Sequence, residues 1–376
     1  MPSEHTIVLI ALIAAGVLIA SVLVVRRDAW VPVARSHKQL VRGAVIGAIV
    51  IVLVALAISH ADDLEELLER VEGGDPWWLA LAVALEAVSF GGYVVLTREL
   101  YRPVAPLLNW TASLELTLAG VVATRVFSAG GAGGIAFTAW VLHRAGIGAR
   151  ATARRLAAFM AILYSVYMAA LLVGGLVVVT GVLPDVPAAL GWVAVTVGGI
   201  VVALVLLMLK IPRDVERRVA AMAKESGRRG RIATRLATVP GVAGNAARLS
   251  ISIIHHRPSI LIWPLVWWAF DVAVLWATFH AFGEAPAIGT IVLCYFLGSL
   301  GNLLPLPGGV GGTEGGMLGA FAASGVDAGL ALLAVVAYQV ISTYLPALPG
   351  LIAYLDLRRR MKTWGPEPAE ESVATT

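Results

Sequence analysis

The chain consists of long apolar blocks separated by short polar segments. A run of about 18 or more apolar residues with few charges is long enough for a helix to cross the hydrocarbon core of a bilayer. Seven blocks meet this criterion and are predicted to be membrane-spanning helices: residues 7–25, 43–60, 77–97, 156–180, 189–210, 259–282 and 328–355. The pattern therefore predicts an all-α fold, a polytopic membrane helix bundle.

Two further apolar blocks are interrupted by glycine. Residues 109–143 are broken at Ser128-Ala-Gly-Gly-Ala-Gly-Gly134, and residues 287–323 are broken at Asn302-Leu-Leu-Pro-Leu-Pro-Gly-Gly-Val-Gly-Gly312. A broken helix leaves backbone N–H and C=O groups that hydrocarbon cannot satisfy, so such backbone must face protein or a wet cavity. We therefore expect two re-entrant hairpins in addition to the seven spans.

The basic residues predict how the chain is oriented. Lys and Arg collect on the cytoplasmic side of membrane proteins. The segment 211–257 carries ten Lys/Arg against three acids and is predicted to be inside, whereas 61–75 carries seven acids against Arg70 and is predicted to be outside. The charges place both flanks of hairpin 109–143 inside and both flanks of hairpin 287–323 outside, so the hairpins are expected to enter from opposite faces. The N-terminus is expected outside and the C-terminus in the cytoplasm, in the plasma (inner) membrane.

The two broken segments align without gaps at an offset of 179 residues, which pairs Gly130 with Gly309, Gly133 with Gly312 and Gly146 with Gly325. Broken apolar segments in corresponding halves are typical of inverted-repeat transporters with a site near the midplane. The predicted organisation is an N-terminal region 1–76, a first repeat 77–210, a cytoplasmic basic segment 211–258, a second repeat 259–357 and a disordered cytoplasmic tail 358–376.

Composition narrows the classes of function. The chain is 59% hydrophobic and 14% charged with a mean hydropathy of +0.85, which is too apolar for a soluble domain. Cys294 is the single cysteine, and no Cys/His spacing indicates a metal site, so neither metal nor cofactor is expected. We see no motif for a catalytic residue. The basic segment lies beside a membrane and is expected to meet anionic headgroups rather than nucleic acid.

Ionisable residues inside apolar segments are candidate functional residues, because a charge at the bilayer centre needs a cavity or a partner. Arg125 precedes the first break and Glu314 follows the second. They could hold a lipid phosphate and a cationic or hydroxylated headgroup, or form an ion pair that joins the hairpin tips. Four further residues are candidates for lining a cavity, with a locally satisfied polar role as the alternative: Glu86, Glu115, Asp271 and Gln339.

The two breaks are themselves candidates for binding substrate. A helix that starts after a glycine break presents free N–H donors and the positive end of its dipole, which suits an anion such as a phosphate. The alternative is that each break is a kink that allows close helix packing. The candidates at the breaks are Ser128, Gly130, Gly133, Asn302, Pro307, Gly308, Gly309 and Gly312.

The second break carries a family resemblance. Pro305-Leu-Pro-Gly-Gly-Val-Gly-Gly-Thr-Glu314, followed by Gly325-Val326 and the long last span, resembles the signature of the lysylphosphatidylglycerol synthase transmembrane-domain family, a flippase-like group with UPF0104-type integral membrane proteins. The first break, followed by Leu142-His-Arg-Ala-Gly-Ile147, is similar to the family's first motif. The resemblance covers most of the chain from about residue 80 to 358.

The resemblance implies a lipid translocase that moves a phospholipid or polyprenyl-linked lipid between leaflets. Two departures from the family's pattern limit what the resemblance implies. Gly133, Gly134 and Ile135 stand where much of the family has a Glu after the first break, and the soluble aminoacyl-transfer domain of the synthases does not follow residue 357. The alternatives are an accessory subunit or a membrane-embedded transferase of lipid or cell-envelope synthesis.

Overall fold

A computed structural model describes residues 73–126, 132–184, 186–210, 244, 247–303 and 312–364. The predicted spans 7–25 and 43–60 lie outside the described residues, as does most of the basic segment 211–258. The chain divides into two units after Gly74, and every helix described below belongs to the second unit, Asp75–Thr376.

The regular structure of the described residues is helical. In chain order the first five helices are α1 Pro76–Tyr101, α2 Trp110–Val126, α3 Ala132–Arg144, α4 Ala149–Val179 and α5 Ala188–Lys210. A short helix over 247–256 and a 3-10 turn Pro258–Leu261 lead into the second group. That group is α6 Ile262–Phe282, α7 Ile288–Ser299, a 3-10 turn Leu300–Leu303, α8 Gly312–Ala323, α9 Ala328–Gln339, a π turn Val340–Tyr344 and α10 Leu345–Met361.

Five helical segments are long and apolar enough to cross a membrane: Pro76–Tyr101, Ala149–Val179, Ala188–Leu207, Pro258–Phe282 and Ala328–Met361. Each covers one of the predicted spans in the described part of the chain. The hydropathy pattern therefore located these five helices correctly, because length and apolar composition are the properties that a spanning helix requires.

Local signals explain where several helices begin. Asp75 caps α1 by accepting a hydrogen bond from the Trp77 N–H at 2.9 Å, with Pro76 in the first turn. Asp327 caps α9 in the same way through the Leu330 N–H at 2.8 Å. The turns that precede α4 and α9 each contain a glycine at positive φ, Gly146 at 86° and Gly325 at 75°. A side chain would be strained at either glycine.

The bounds of four helices fall beside or within the predicted glycine breaks. Helix α2 ends at Val126 and α3 begins at Ala132, while α7 ends at Ser299 and α8 begins at Gly312. Small residues let the paired helices approach closely. A Cβ atom on Gly134 of α3 would lie 3.1 Å from the carbonyl oxygen of Gly120 on α2. Glycines also face each other between α7 and α8, where a Cβ on Gly316 would meet the backbone of Gly298.

Helices α1 and α6 pack against each other in antiparallel orientation. The Asp75 N–H donates to the Ala281 carbonyl at 2.9 Å, and the Ser89 hydroxyl donates to the Trp267 carbonyl at 3.1 Å. Residue numbers therefore rise along α1 as they fall along α6. This register brings Glu86 level with the turn of α6 that carries Asp271, near the middle of both helices.

The last predicted span, 328–355, is a helix with an internal π turn. The Leu345 N–H donates to the Val340 carbonyl, five residues earlier, in place of the α-helical spacing. Pro346 follows and has no N–H to continue the α-helical ladder, which gives a physical reason for the irregular turn. Helix α10 then continues to Met361, past the predicted start of the tail at residue 358, and residues 365–376 lie outside the described part.

Candidate functional site

A cavity of about 530 Å³ lies between the helices. Its wall is formed by α1, α2, α3, α4, α6, α7, the residue that opens the 3-10 turn, α8, α9 and the π turn. Helices from both broken segments thus line the same cavity. The cavity is lined by apolar and aromatic side chains together with carboxyl, hydroxyl and amide groups.

Asp271 is a buried carboxylate held by two tyrosines. It lies on α6 and only 7% of its surface is exposed. The hydroxyls of Tyr295 on α7 and Tyr338 on α9 both donate to its Oδ2 atom, the latter at 3.0 Å. Hydrogen bonds to a charged acceptor are stronger than those between neutral groups. The two tyrosines therefore stabilise Asp271 in its ionised form and fix its orientation at the cavity wall.

Glu86 is the second carboxyl of the cavity and is held differently. It lies on α1 and is 5% exposed. Its Oε2 atom is buried and accepts no hydrogen bond from the residues that the structure describes. Glu86 and Asp271 lie close enough to interact electrostatically. Since a buried polar atom without a partner is costly, Glu86 is the group in this cavity that most needs a ligand.

Hydroxyl groups add polarity without charge. Thr117 on α2 donates to the Ser113 carbonyl at 2.9 Å and lies 3.5 Å from the Thr97 hydroxyl on α1. Thr124 donates to the Gly120 carbonyl at 2.8 Å. These bonds within a turn satisfy each donor locally, and they leave oxygen lone pairs for a ligand. Further hydroxyl side chains at the wall are Thr138, Ser299, Thr313, Ser342 and Thr343.

Aromatic rings form much of the remaining wall. Tyr93 packs edge-on against Trp267 with ring centroids 4.6 Å apart, and Trp267 stacks on Trp268 at 4.5 Å. Tyr164 and Tyr167 lie one turn apart on α4 and are in ring contact at 5.9 Å. Aromatic faces carry a negative quadrupole, so a cation over one of them is stabilised.

The charge balance of the wall favours a cation. Among the described residues, the cavity is lined by two carboxyls and by no Lys, Arg or His. A charge in the bilayer interior usually faces a partner or a wet cavity. The arrangement of Glu86, Asp271 and the aromatic rings is therefore suited to a positively charged group.

The structure allows several of the predicted site residues to be placed. Gly133 and Gly312 are buried in the first turns of α3 and α8, and their neighbours Gly134 and Thr313 line the cavity. Glu314 lies half-buried on α8. Arg125 is in the last turn of α2 and Asn302 is in the 3-10 turn, but their side chains lie outside the described part. Five other predicted positions also lie outside it: Ser128, Gly130, Pro307, Gly308 and Gly309.

The four residues considered for cavity lining have different positions. Glu86, Asp271 and Gln339 lie at the wall of the cavity. Glu115 does not belong to this wall; its carboxylate pairs with Arg360 of α10 through two hydrogen bonds, at 3.1 Å from Nε and 2.8 Å from Nη2. The reason is that the basic cluster at the end of α10 packs beside α2, so Glu115 has a cationic partner that the local sequence does not reveal.

The residues that sequence reasoning missed are Tyr295 and Tyr338. Their hydroxyls reach Asp271 across 24 and 67 residues of sequence. One signal was present, because the repeat alignment pairs Tyr338 with Phe159, and both line the cavity. That pairing marks equivalent positions but does not reveal a hydrogen bond to an acid on a third helix.

Comparison with known proteins identifies the family. The family model for the lysylphosphatidylglycerol synthase TM region matches residues 39–350. This chain belongs to that family. Its apolar helices and its membership together establish a multi-pass membrane protein.

A curated relative supports the assignment. A UPF0104 membrane protein of Methanothermobacter thermautotrophicus is 38% identical over 95 residues. That match spans 25% of this chain and 27% of the relative's length. The two comparisons thereby confirm the family resemblance carried by the glycine-rich motifs.

Proposed function

We propose that this protein is a lipid translocase that moves a phospholipid with an amine-bearing headgroup between the two leaflets. The observation that carries the proposal is the cavity with two buried carboxyls, Glu86 and Asp271, among helices apolar enough to cross a bilayer. Carboxyls at such positions are costly unless a cationic group or water meets them. A helix bundle with only a structural role in the membrane would not need these two buried carboxyls.

The size and shape of the cavity fit a headgroup rather than a whole lipid. Ligand pockets commonly measure about 300–1,000 Å³. A cavity of about 530 Å³ can hold a phosphate and an amine while the acyl chains remain in the surrounding lipid. The amine meets Glu86 and the fixed negative charge of Asp271, with the rings of Trp267 and Tyr93 beside it.

The phosphate of the same headgroup has candidate partners among other residues of the cavity wall. Gly134 and Thr313, in the first turns of α3 and α8, line the wall. The N-terminal turns of helices attract anions through free N–H groups and the helix dipole. Arg125, predicted from the sequence as a phosphate partner, stands at the end of α2 before the first break.

The proposal includes an inverted repeat. When 179 is added to the residue numbers of α3, the result is 311–323, which nearly coincides with α8, Gly312–Ala323. The same shift of α4 gives 328–358, which nearly coincides with the continuous helix from α9 to α10, Ala328–Met361. The antiparallel packing of α1 and α6 supports opposite orientation of the two halves. Helices related by a parallel repeat would run in the same direction.

The hairpins are proposed to enter the membrane without crossing it. Helices α3, α7 and α8 have 13, 12 and 12 residues. At 1.5 Å per residue such helices are about 18–20 Å long, against about 30 Å of hydrocarbon. With the charge pattern, this favours hairpin α2–α3 entering from the cytoplasm and hairpin α7–α8 from the outside of the plasma membrane.

The experiment that tests the function is lipid translocation by the purified protein in liposomes. Fluorescent phosphatidylethanolamine, phosphatidylcholine and phosphatidylglycerol are incorporated in turn, and the fraction in the outer leaflet is followed by chemical quenching. We expect phosphatidylethanolamine to equilibrate faster than in protein-free liposomes, and faster than phosphatidylglycerol, which has no amine. Rates equal to those of protein-free liposomes for all three lipids would contradict the proposal.

Glu86→Gln is the matched loss-of-function variant, and Glu99→Gln on the same helix is the control. Glu99 pairs with Arg257 at 3.6 Å and is not part of the cavity wall. We expect Glu86→Gln to lose translocation and Glu99→Gln to retain it. Mass spectrometry of the lipids after the assay distinguishes transport from chemistry, since a transferase would change the mass of its lipid.

A further inference from the structure

The cavity poses a problem that a lipid carrier must solve after each transport step. When the headgroup leaves, Glu86 remains buried, with no hydrogen bond to Oε2 from the described residues and with Asp271 nearby. An unpaired carboxylate inside a membrane is costly, and a second negative charge nearby adds repulsion. The empty carrier is therefore unfavourable unless another positive charge takes the place of the amine.

The described side chains around Glu86 include no cation. From α6 Glu86 faces Asp271, and from α9 it faces Tyr338. The phenol of Tyr164 on α4 lines the same cavity. Helix α2 carries two ionisable residues: Glu115, already paired with Arg360, and Arg125 in its last turn, whose side chain lies outside the described part. Arg155 of α4 donates to the Leu100 carbonyl at the end of α1. Within the described part of the chain, then, the side chains at the cavity wall supply two acids and several hydroxyls but no positive charge.

We propose that Glu86 is an exchange group: it binds a small inorganic cation, H⁺ or Na⁺, whenever the lipid amine is absent. The inference rests on the proposed translocase function for the identity of the competing ligand. It adds the energy source, since the cation gradient then drives the return step and the lipid moves in exchange.

Glu86 and Asp271 have separate parts in this exchange. Both tyrosine hydroxyls donate to Oδ2 of Asp271, so they stabilise its ionised form and hold the carboxyl in place beside the bound amine or inorganic cation. Glu86 has no such donor on Oε2 and can take a proton or a metal ion directly. The difference follows from which carboxyl the tyrosines of α7 and α9 reach.

The step is balanced for either cation. In the proton arm, a hydronium ion on one face gives H⁺ to the Glu86 carboxylate and becomes water, so that an O–H bond forms on Glu86. This bond breaks as the lipid amine binds, and the proton passes to water on the other face, which becomes hydronium. In the sodium arm, Na⁺ binds between oxygen atoms without any covalent change. Further oxygen donors at the cavity wall are the hydroxyl of Tyr338 and the amide of Gln339. Oxygen ligands of this kind suit a hard cation.

Cation binding can be measured on the whole protein in detergent without any lipid transport. Infrared difference spectra between low and high pH, in choline chloride, report the carbonyl stretch of a protonated carboxylic acid. In the proton arm we expect this band in wild type and in Glu99→Gln, and its loss in Glu86→Gln. In the sodium arm we expect radioactive sodium to bind wild type and Glu99→Gln, and binding to Glu86→Gln to fall to the level of empty micelles.

The competing ligand provides the second half of the test. Short-chain phosphatidylethanolamine should displace the proton or sodium from wild type, and short-chain phosphatidylglycerol should not. The wild-type measurements remain a valid test even if Glu86→Gln fails to fold. Folding of each variant is followed separately by thermal unfolding. If neither the infrared band nor sodium binding is present in wild type, or if either persists unchanged in folded Glu86→Gln, the exchange role of Glu86 is overturned.

Failure of the exchange role and failure of the translocase function give different results. Cation binding at Glu86 without lipid movement in liposomes would contradict the translocase and, with it, the exchange of cation for lipid. Lipid movement that is the same in wild type and Glu86→Gln, and indifferent to both pH and sodium gradients, would leave the translocase standing and remove the exchange role.

Discussion

At the scale of single residues, the anchoring of Asp271 is the feature that defines the site. A carboxylate buried at 7% exposure is held by hydroxyls from two other helices. The tyrosines therefore do two things, since they join α7 and α9 to α6 and stabilise the ionised form of Asp271 at the cavity wall. Substitutions that remove the hydroxyl but keep the ring separate these contributions from packing.

We predict that Tyr295→Phe and Tyr338→Phe each destabilise the protein by about 1.5–3 kcal/mol, the usual contribution of a hydrogen bond to a charged group. The ring contacts of both residues remain, so the loss belongs to the hydroxyl. Thermal unfolding in detergent measures it. In an Asp271→Asn background the two substitutions should have much smaller effects, because the charged acceptor is gone. Equal losses in both backgrounds would show that the hydroxyls act elsewhere.

The ion pair between Glu115 and Arg360 predicts an asymmetry. The Glu115 side chain is 9% exposed and that of Arg360 is 35% exposed. Arg360→Gln leaves a buried carboxylate without its cation, whereas Glu115→Gln leaves an arginine that can reach water. We therefore expect Arg360→Gln to lower the unfolding temperature more than Glu115→Gln does. Arg359→Gln is the control, since Arg359 is 79% exposed and pairs only across one turn with Asp356.

The same residues show how far sequence reasoning reaches. Hydropathy singles out Glu86, Glu115 and Asp271 as acids in apolar segments, but it treats the three alike. Their partners distinguish them, and these lie far away in sequence, with Arg360 245 residues from Glu115. Helix packing alone decides the surroundings of each acid. Among the described residues, Glu115 is paired with an arginine, Asp271 is held by tyrosines, and Glu86 lacks a partner at one oxygen.

At the scale of elements, the seam between α1 and α6 depends on a glycine. A Cβ atom on Gly92 would lie 2.9 Å from the Trp263 carbonyl oxygen and 3.1 Å from the Trp267 nitrogen. These are backbone atoms of the neighbouring helix, which cannot move aside singly. Small residues at helix contacts in membranes allow such close approach.

Gly92→Ala should therefore separate α1 from α6 and destabilise the protein by about 1–3 kcal/mol, the usual cost of overpacking. Gly91→Ala is a matched control on the same helix, because a Cβ there meets nothing within 4 Å. Thermal unfolding compares the two. Since the seam also sets the distance between Glu86 and Asp271, the Gly92 variant should lose cation or lipid binding as well. Similar unfolding temperatures for both variants would mean that the seam is not tightly packed.

The elements themselves were more predictable than their contacts. Capping aspartates before α1 and α9, apolar length and the two glycine breaks are local signals, so the helix ends fall close to the predicted ones. The π turn Val340–Tyr344 was not predicted, although Pro346 stands beside it. A proline indicates an interruption, but the way in which the chain accommodates it depends on the neighbouring helices.

At the scale of the whole molecule, the proposed inverted repeat can be compared with the contacts between α1 and α6. Asp75 meets Ala281, and 14 residues further on Ser89 meets Trp267, 14 residues back. Ser89 on α1 and Trp268 on α6 are paired by the 179-residue offset of the repeat alignment. Helices α1 and α6 therefore cross beside positions that the alignment treats as equivalent. The carboxyls of Glu86 and Asp271 lie next to this crossing. A site at the centre of two opposed halves can be reached from either face by rocking one half against the other.

Opposite orientation of the halves makes a prediction that can be tested at two equivalent residues. Ala149 opens α4 and Ala328 opens α9, 179 residues apart; both are exposed and small. We introduce Ala149→Cys and Ala328→Cys singly, in a background where the buried Cys294 is replaced by alanine. A membrane-impermeant maleimide should label Ala328→Cys in intact cells and Ala149→Cys only in inverted vesicles, because the preceding hairpins enter from opposite faces. Labelling of both cysteines from the same side would mean that the repeats are parallel, and the site could then not lie between two opposed halves.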